Sequence, residues 1–316
     1  MANKRITVIG GGTGVYVVLS ALKNCGYDLS AVISMCDDGG STGRLRDDYG
    51  ILPPGDIRRS LIALSSANIQ LRKLFEHRFV GGEIDGHSFG NLFLAACQQL
   101  TGSNLKEAVK LASEVLSVRG RVIPATLDNV RLAAKLENGK TIIGETNIDI
   151  PQHNPELKIV DVFTVPHASV NPEATKIIAK SDVIIIGPGD LYTSVVPNLL
   201  MRGMARSIRT SSAIKIYVCN LMTKNGETNS YGMRDFLATI DRYLGERTID
   251  YALVNSKKPS IQRLVKYSKE NSKFVSLNKK YNGSSEIIKS NLIADRGLIR
   301  HDLKKLRLAL VKLIER

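Results

Sequence analysis

Residues 5–14, RITVIGGGTG, open on an apolar run through Ile9 that reads as a buried strand and close on Gly10, Gly11, Gly12, Thr13 and Gly14. An apolar helix carrying Val17, Val18, Leu19, Ala21 and Leu22 follows. Strand, glycine turn and helix make the unit from which parallel α/β sheets are wound. Peptide N–H groups at such a helix start point outward with the positive end of the helix dipole, so the turn suits a phosphate or diphosphate. A dinucleotide fingerprint would need a further glycine where Val15 stands, which argues against a nicotinamide dinucleotide.

A second unit of the same kind begins at residue 182. The run Asp182-Val183-Ile184-Ile185-Ile186 leads into Gly187, Pro188, Gly189 and Asp190, with Leu191, Tyr192, Thr193 and Ser194 at a helix start. Two such units predict a doubly wound sheet whose glycine turns face one crevice at the carboxyl ends of parallel strands. Further strands are expected at 213–219, which ends in Asn220, and at 251–255, with helices at 233–244 and 261–269. Extended segments at 121–123, 130–136 and 140–145, the last two joined by Glu137-Asn138-Gly139, read as a hairpin excursion over about 121–165. The expected fold is α/β, a Rossmann-like three-layer α/β/α arrangement with a mainly parallel sheet, in one domain over 1–316. Gly139-Lys140-Thr141 looks like the end of a Walker loop, but Ala134 stands where its first glycine belongs.

Between the first helix and the next lies SMCDDGGSTGRLRDDYGILPPGDIRR, residues 34–59, with five Asp, four Arg, five Gly and two Pro. No core needs that composition; the competing explanation is a surface loop with self-paired charges. Asp37 and Asp38 fall where a parallel strand ends, and Gly39, Gly40 and Gly43 let backbone amides approach a ligand. Ser41, Thr42 and Arg44 complete the candidate set here, with Arg46, Arg58 and Arg59 supplying further forks for phosphate or carboxylate. The carboxylates Asp37, Asp38, Asp47, Asp48 and Asp56 have three open roles: holding Mg²⁺ against a diphosphate, bonding ribose hydroxyls, or pairing with the arginines. No resident cofactor is expected, and Mg²⁺ is the one candidate ion. Further on, Ser88 is placed to cap a helix, while His87 and Asn91 could face a ligand or serve as structural partners.

Hydrophobic residues make up 43% and charged residues 23% of the 316, ordinary for a globular protein. Aromatics are 5% with no Trp, which argues against base-stacking platforms for single strands. The net charge of +14 is concentrated from Lys257 onward, where sixteen Lys or Arg face five acids. The basic residues there alternate with apolar ones, which favours the solvated side of helices over a nucleic-acid or membrane footprint. Four scattered cysteines without a C-x-x-C pair fit a reducing compartment, and no signal-like segment precedes the first glycine run, so a cytoplasmic location is expected.

Taken together, Ile9 to Gly14, DDGGSTGRLR from Asp37, PPGDIRR from Pro53, GHSFGN from Gly86 and GPGDLYTS from Gly187 resemble the bacterial gluconeogenesis-factor family (YvcK or GlmR) over essentially the whole chain. That family is related to CofD, a transferase of a phospholactyl group. The resemblance implies a CofD-like domain, binding of UDP-N-acetylglucosamine, and a role in routing carbon to the cell envelope and in cell shape. It also implies a sugar-nucleotide role for Tyr267 and Arg300, for which the residues alone give only a half-buried helix tyrosine and a surface charge. The favoured reading is a binding regulator, and the alternative is a transferase of the CofD type. A homo-oligomer and a protein partner in amino-sugar synthesis are expected, with neither nucleic acid nor membrane as partner.

Overall fold

The computed structural model describes residues 3–245, 247–277 and 283–316. Strand β1 (Arg5–Gly10) lies inside a seven-stranded sheet, third from one edge. On one side of it come β2 (Asp28–Ile33) and β3 (Arg121–Pro124). The small-sheet strands β4 (Arg131–Leu136), β5 (Thr141–Ile143) and β6 (Ile159–Val165) come next in the chain. They are followed by β7 (Val183–Ile186), β8 (Ile214–Val218), β9 (Tyr251–Asn255) and β10 (Glu286–Ser290), which extend the main sheet on the other side of β1 in that order. Every pairing in the main sheet is parallel.

Such a sheet is buried on both faces, and its side chains sort by period two. Ile6 and Val8 of β1, Val183 and Ile185 of β7, and Ile216 and Val218 of β8 join one core, packed under the helices Gly12–Leu22, Gly55–Leu64, Leu105–Val115 and Leu303–Ile314. Ile9, Ile184, Ile186 and Tyr217 face the other core, with the helices Pro172–Lys180 and Met233–Leu244 and the inner face of the small sheet. The three-layer α/β/α reading therefore holds.

The chain leaves β1 toward β2 and β3, then returns to the far side of β1 to lay down β7. The strand order thus reverses between β1 and β7, and a crevice opens at their carboxyl ends. The two glycine turns leave the sheet side by side, with Ile9 paired to Ile186 and the Gly187 amide donating to the Ile9 carbonyl at 3.0 Å.

Three sequence expectations need correction. Residues 121–124 belong to the main sheet as its edge, so the antiparallel excursion runs from β4 to β6. Residues 34–59 are not one loop. They contain the helix Gly40–Tyr49, because glycine-rich composition hides helices held by tertiary contacts, whereas the helix expected from Ile57 to Ser66, with Arg58 and Arg59 in its first turn, is present as Gly55–Leu64. Glu145, read as the end of a strand, opens the short helix Glu145–Asp149.

Candidate functional site

Three helices point their N-termini into the crevice: Gly12–Leu22, Gly40–Tyr49 and Gly55–Leu64. Their cap residues Gly11, Gly39 and Pro54 provide no side-chain hydrogen bond. Helices Ile69–Glu76, Leu105–Val115, Pro172–Lys180 and Leu303–Ile314, which start elsewhere, are capped by Asn68, Asn104, Asn171 and Asp302. An uncapped start leaves amide donors for a ligand, apart here from those of Gly12 and Gly39, which Asp56 and Asp37 engage. The space they border is a cleft of about 460 Å³.

Close approach explains two of its glycines. A Cβ on Gly14 would lie 1.7 Å from the Pro188 carbonyl oxygen, so the two glycine turns are in backbone contact. A Cβ on Gly55 would lie 2.3 Å from Asp37 Oδ2 and 2.6 Å from Thr42 Oγ1, so this helix start presses against the carboxylate at the end of β2.

Two groups of carboxylates stand at the cleft, and all of their members but the buried Glu227 line it. In the first, Asp37 accepts from the Gly39 amide at 3.0 Å, yet burial raises its carboxyl above the usual range. Asp56 is pushed up to about 6 by burial and then by the charge of Asp37, with the Gly12 amide and Arg59 opposing. Burial, followed by the charges of Asp37 and Asp149, pushes Glu145 up to about 9. Cations face them: Arg59 donates to Thr13 Oγ1 at 3.2 Å, and Arg58, its guanidinium drawn down to about 10 by burial, donates to Asn91 Oδ1 at 2.8 Å. Asn91 in turn donates to Ser41 Oγ at 3.1 Å, and Ser41 lies 3.0 Å from His87 Nδ1. Burial and then the neighbouring Arg44 charge lower the His87 pKa, which favours the neutral ring beside Ser41.

The second group is Asp149, Asp190 and Glu227, whose nearest oxygens lie within 4.8 Å of one another. Lys224 Nζ is 2.9 Å from Asp149 Oδ1. Glu227, 3% exposed, accepts from the Tyr192 amide at 3.1 Å and the Thr193 hydroxyl at 3.2 Å. Burial and the Asp190 charge still raise it well above its ordinary value. Asp190 is raised by burial against the pull of Lys224. An all-oxygen set of three carboxylates suits a hard cation such as Mg²⁺, which would have to displace or share the place of the Lys224 ammonium.

Of the residues expected at the site, Gly12, Thr13, Gly14, Asp37, Gly39, Ser41, Thr42, Asn91, Gly189 and Asp190 line this cleft. Gly10 and Gly187 sit behind them at the strand ends, and Gly11 is the cap residue packed against Asp56 and Ser194. Asn220 stands in support, donating to the Gly189 carbonyl at 2.7 Å with its own buried Oδ1 unpartnered. Arg44 turns away to the carbonyl of Asp85. Tyr267 and Arg300 are not part of the lining: Tyr267 packs with Leu221 and Ile299 and accepts from the Ile299 amide at 2.8 Å, and Arg300 is exposed.

The five-aspartate set considered for Mg²⁺ does not assemble. Asp38 accepts from the amides of Glu145 and Thr146 at 3.2 and 2.8 Å, so it caps the short helix. Asp47 is exposed and bonded to Arg131 at 2.8 Å, and Asp48 is exposed. Asp37 and Asp56 remain in the cleft. Sequence reasoning missed Glu145, Asp149, Lys224 and Glu227. The last two lay in a polar connection after β8 with no spacing to mark them, and the only signal for Glu145 was Gly144 before it.

Comparison with known proteins agrees with this architecture. The family model for 2-phospho-L-lactate transferase CofD matches residues 6–293. The gluconeogenesis factor of Bacillus subtilis (strain 168) is 39% identical over 315 residues, covering 98% of each chain. That of Halalkalibacterium halodurans is 39% identical over 318 residues, covering 99% of this chain and 97% of its own. A crystal structure of a UPF0052-family protein from Bacillus halodurans superposes with a TM-score of 0.91 at 38% identity, covering 98% of this chain and 99% of that one. The glycine turns, the uncapped helix starts and the cleft they border thus belong to a CofD-like domain, and the chain is a member of the gluconeogenesis-factor family.

Proposed function

We propose that this protein binds UDP-N-acetylglucosamine in the cleft and acts in the cytoplasm as a regulator linking gluconeogenic carbon metabolism to cell-envelope synthesis and cell shape. The observation that carries the reading is the convergence of three helix N-termini without side-chain caps, beside Arg58 and Arg59, on one crevice at the strand-order reversal. A diphosphate is the group such donors suit. In this reading the diphosphate lies against Gly12 to Gly14 and Gly39 to Thr42, and the rest of the ligand extends past Asn220 toward Tyr267 and Arg300. The names of the relatives support the metabolic half of the proposal. Among the described residues no helix is long and apolar enough to cross a membrane. A homo-oligomer and a protein partner in amino-sugar synthesis belong to the same proposal.

The match to a phospholactate transferase, together with the Asp149, Asp190 and Glu227 group, favours a second reading: transfer of a substituted phosphate from a nucleotide-linked donor. Calorimetry with UDP-N-acetylglucosamine, with and without Mg²⁺, followed by chromatography of the ligand, separates the two. Saturable binding with the ligand recovered intact supports the regulator, Mg²⁺-dependent turnover supports the transferase, and absence of binding overturns the first proposal.

A further inference from the structure

The helices Gly12–Leu22 and Gly55–Leu64 both begin at the cleft and both end at the amino edge of the main sheet. There they border a separate hollow of about 300 Å³, lined by Lys23, Asn24, Ser65, Ser66, Arg72 and Arg119 among others, with no Asp or Glu in the lining. Three cations share it. Among the described residues, none of the three has an ion pair or a side-chain hydrogen bond, and Arg72 Nε is buried without a partner. Lys23 is half-buried, and its ammonium is drawn below its ordinary pKa by burial and then by the charge of Arg72, with no carboxylate offsetting either. The acid nearest Lys23 in the chain, Asp28, lines an adjoining hollow and is held by Arg121 at 2.9 Å, and Glu76, one turn after Arg72, lines a different hollow.

We infer that this hollow is a second anion site, for a small phosphate-bearing ligand, distinct from the cleft. Two guanidiniums offer donor forks matched to phosphate oxygens, and an ammonium adds a point charge. The repulsion between Lys23 and Arg72, which no acid in the lining offsets, is relieved when a dianion enters. The competing account is that cations sit well beyond helix C-termini. It fits Lys23, which follows Leu22, and Arg119, which lies past Val115, but not Arg72 in the middle of Ile69–Glu76.

The test titrates inorganic phosphate into the full chain at fixed ionic strength, with the balance made up by sodium chloride, and compares the parent with Arg72→Gln/Arg119→Gln. The double variant is expected to lose phosphate affinity by about tenfold or more, as follows from removing charge-assisted hydrogen bonds, while its affinity for UDP-N-acetylglucosamine is unchanged. In phosphate-free, low-salt buffer it should melt at or above the parent temperature, because repulsion has been removed. Unchanged phosphate affinity overturns the site, as does a response of the parent to chloride equal to that to phosphate. A lower melting temperature of the double variant without phosphate also overturns it in favour of the helix-end account. A parallel arm offers neutral vesicles with and without phosphatidic acid. Capture that needs both arginines assigns the phosphate to a lipid headgroup, and phosphate binding without capture assigns it to a soluble ligand. Failure of UDP-N-acetylglucosamine to bind the parent bears on the cleft alone and leaves this titration readable.

Discussion

The cleft wall built from residues 34–59 and the wall built from residues 145–150 and 190–227 both carry carboxylates, but they hold them by different means. On the first wall Asp37 and Asp56 rest against backbone amides of Gly39 and Gly12, and Arg58 and Arg59 come from the same helix as Asp56. On the second, Asp149, Asp190 and Glu227 come from three separate segments and share one ammonium, Lys224. Amides on a rigid helix start stay charged in their partial way at every pH, whereas Lys224 is the one cation that the three carboxylates share, with Glu227 alone also held by the Tyr192 amide and the Thr193 hydroxyl. The first wall is therefore suited to receive an anion, and the second to respond to a cation or a proton.

The sharpest way to break the comparison is to separate the walls. Gly14 belongs to the turn after β1 and touches Pro188 of the turn after β7, so Gly14→Val forces the backbones apart. A loss of about 3 kcal/mol or more in urea unfolding is expected, at or beyond the upper end for overpacking. A variant as stable as the parent would mean that the turns are not in contact. Next in size is Lys224→Met, which leaves the second group without its cation. We expect a loss of about 2 kcal/mol at pH 8, below the cost of breaking a fully buried pair because the partners keep some exposure. The deficit should shrink toward pH 5 as protonation removes the uncompensated charge. A deficit that does not change with pH would assign Lys224 a packing role only.

The sequence made one wall legible and not the other, for a physical reason. Glycines, acids and arginines at a strand end announce backbone approach and charge, and Asp37, Gly39, Ser41 and Thr42 are contiguous enough to be read together. The alternation of apolar strands and helices likewise announced the parallel sheet, down to Met233–Leu244 and Tyr251–Asn255. Glu227 and Asp149 became neighbours only through the docking of the small sheet's helix against the turn after β7, a long-range contact that no local pattern encodes. The edge strand β10 escaped for a related reason: only half-buried, its Glu286–Ser290 sequence shows no apolar run.

Glu145 stands between the walls, and its pH dependence sharpens their contrast. Its carboxyl is raised from the usual range to about 9, so the folded state binds more protons than the unfolded one. Stability therefore falls as pH rises from about 4.5 toward about 9, the opposite sign from a salt-bridged carboxylate. Glu145→Gln removes the titration. At pH 9 the variant should exceed the parent by at least about 1.4 kcal/mol, the equivalent of one pKa unit, and the two should converge near pH 5. Denaturant titrations at three pH values would show this, and equal pH slopes would deny Glu145 its place among the carboxylates.

The smallest expected effect contrasts two adjacent aspartates. Asp38 and Asp37 read alike in the sequence, yet Asp38 is spent on the fold: its two oxygens accept from the amides of Glu145 and Thr146, and Arg131 stands 3.7 Å away. Asn in its place keeps one acceptor, loses the second and loses the charge that favours a helix start, so Asp38→Asn should cost about 1 kcal/mol, the usual worth of a cap. Affinity for UDP-N-acetylglucosamine should stay within about twofold of the parent, because the side chain points at the short helix and not into the cleft. Asp37→Asn should do the reverse. Its charge is opposed by burial, so stability should hold or rise above pH 5, while ligand affinity changes because the group faces Thr42 and Gly55 inside the cleft. If both substitutions lower stability alike and leave binding alike, the end of β2 is a structural joint and the first wall has no part in recognition.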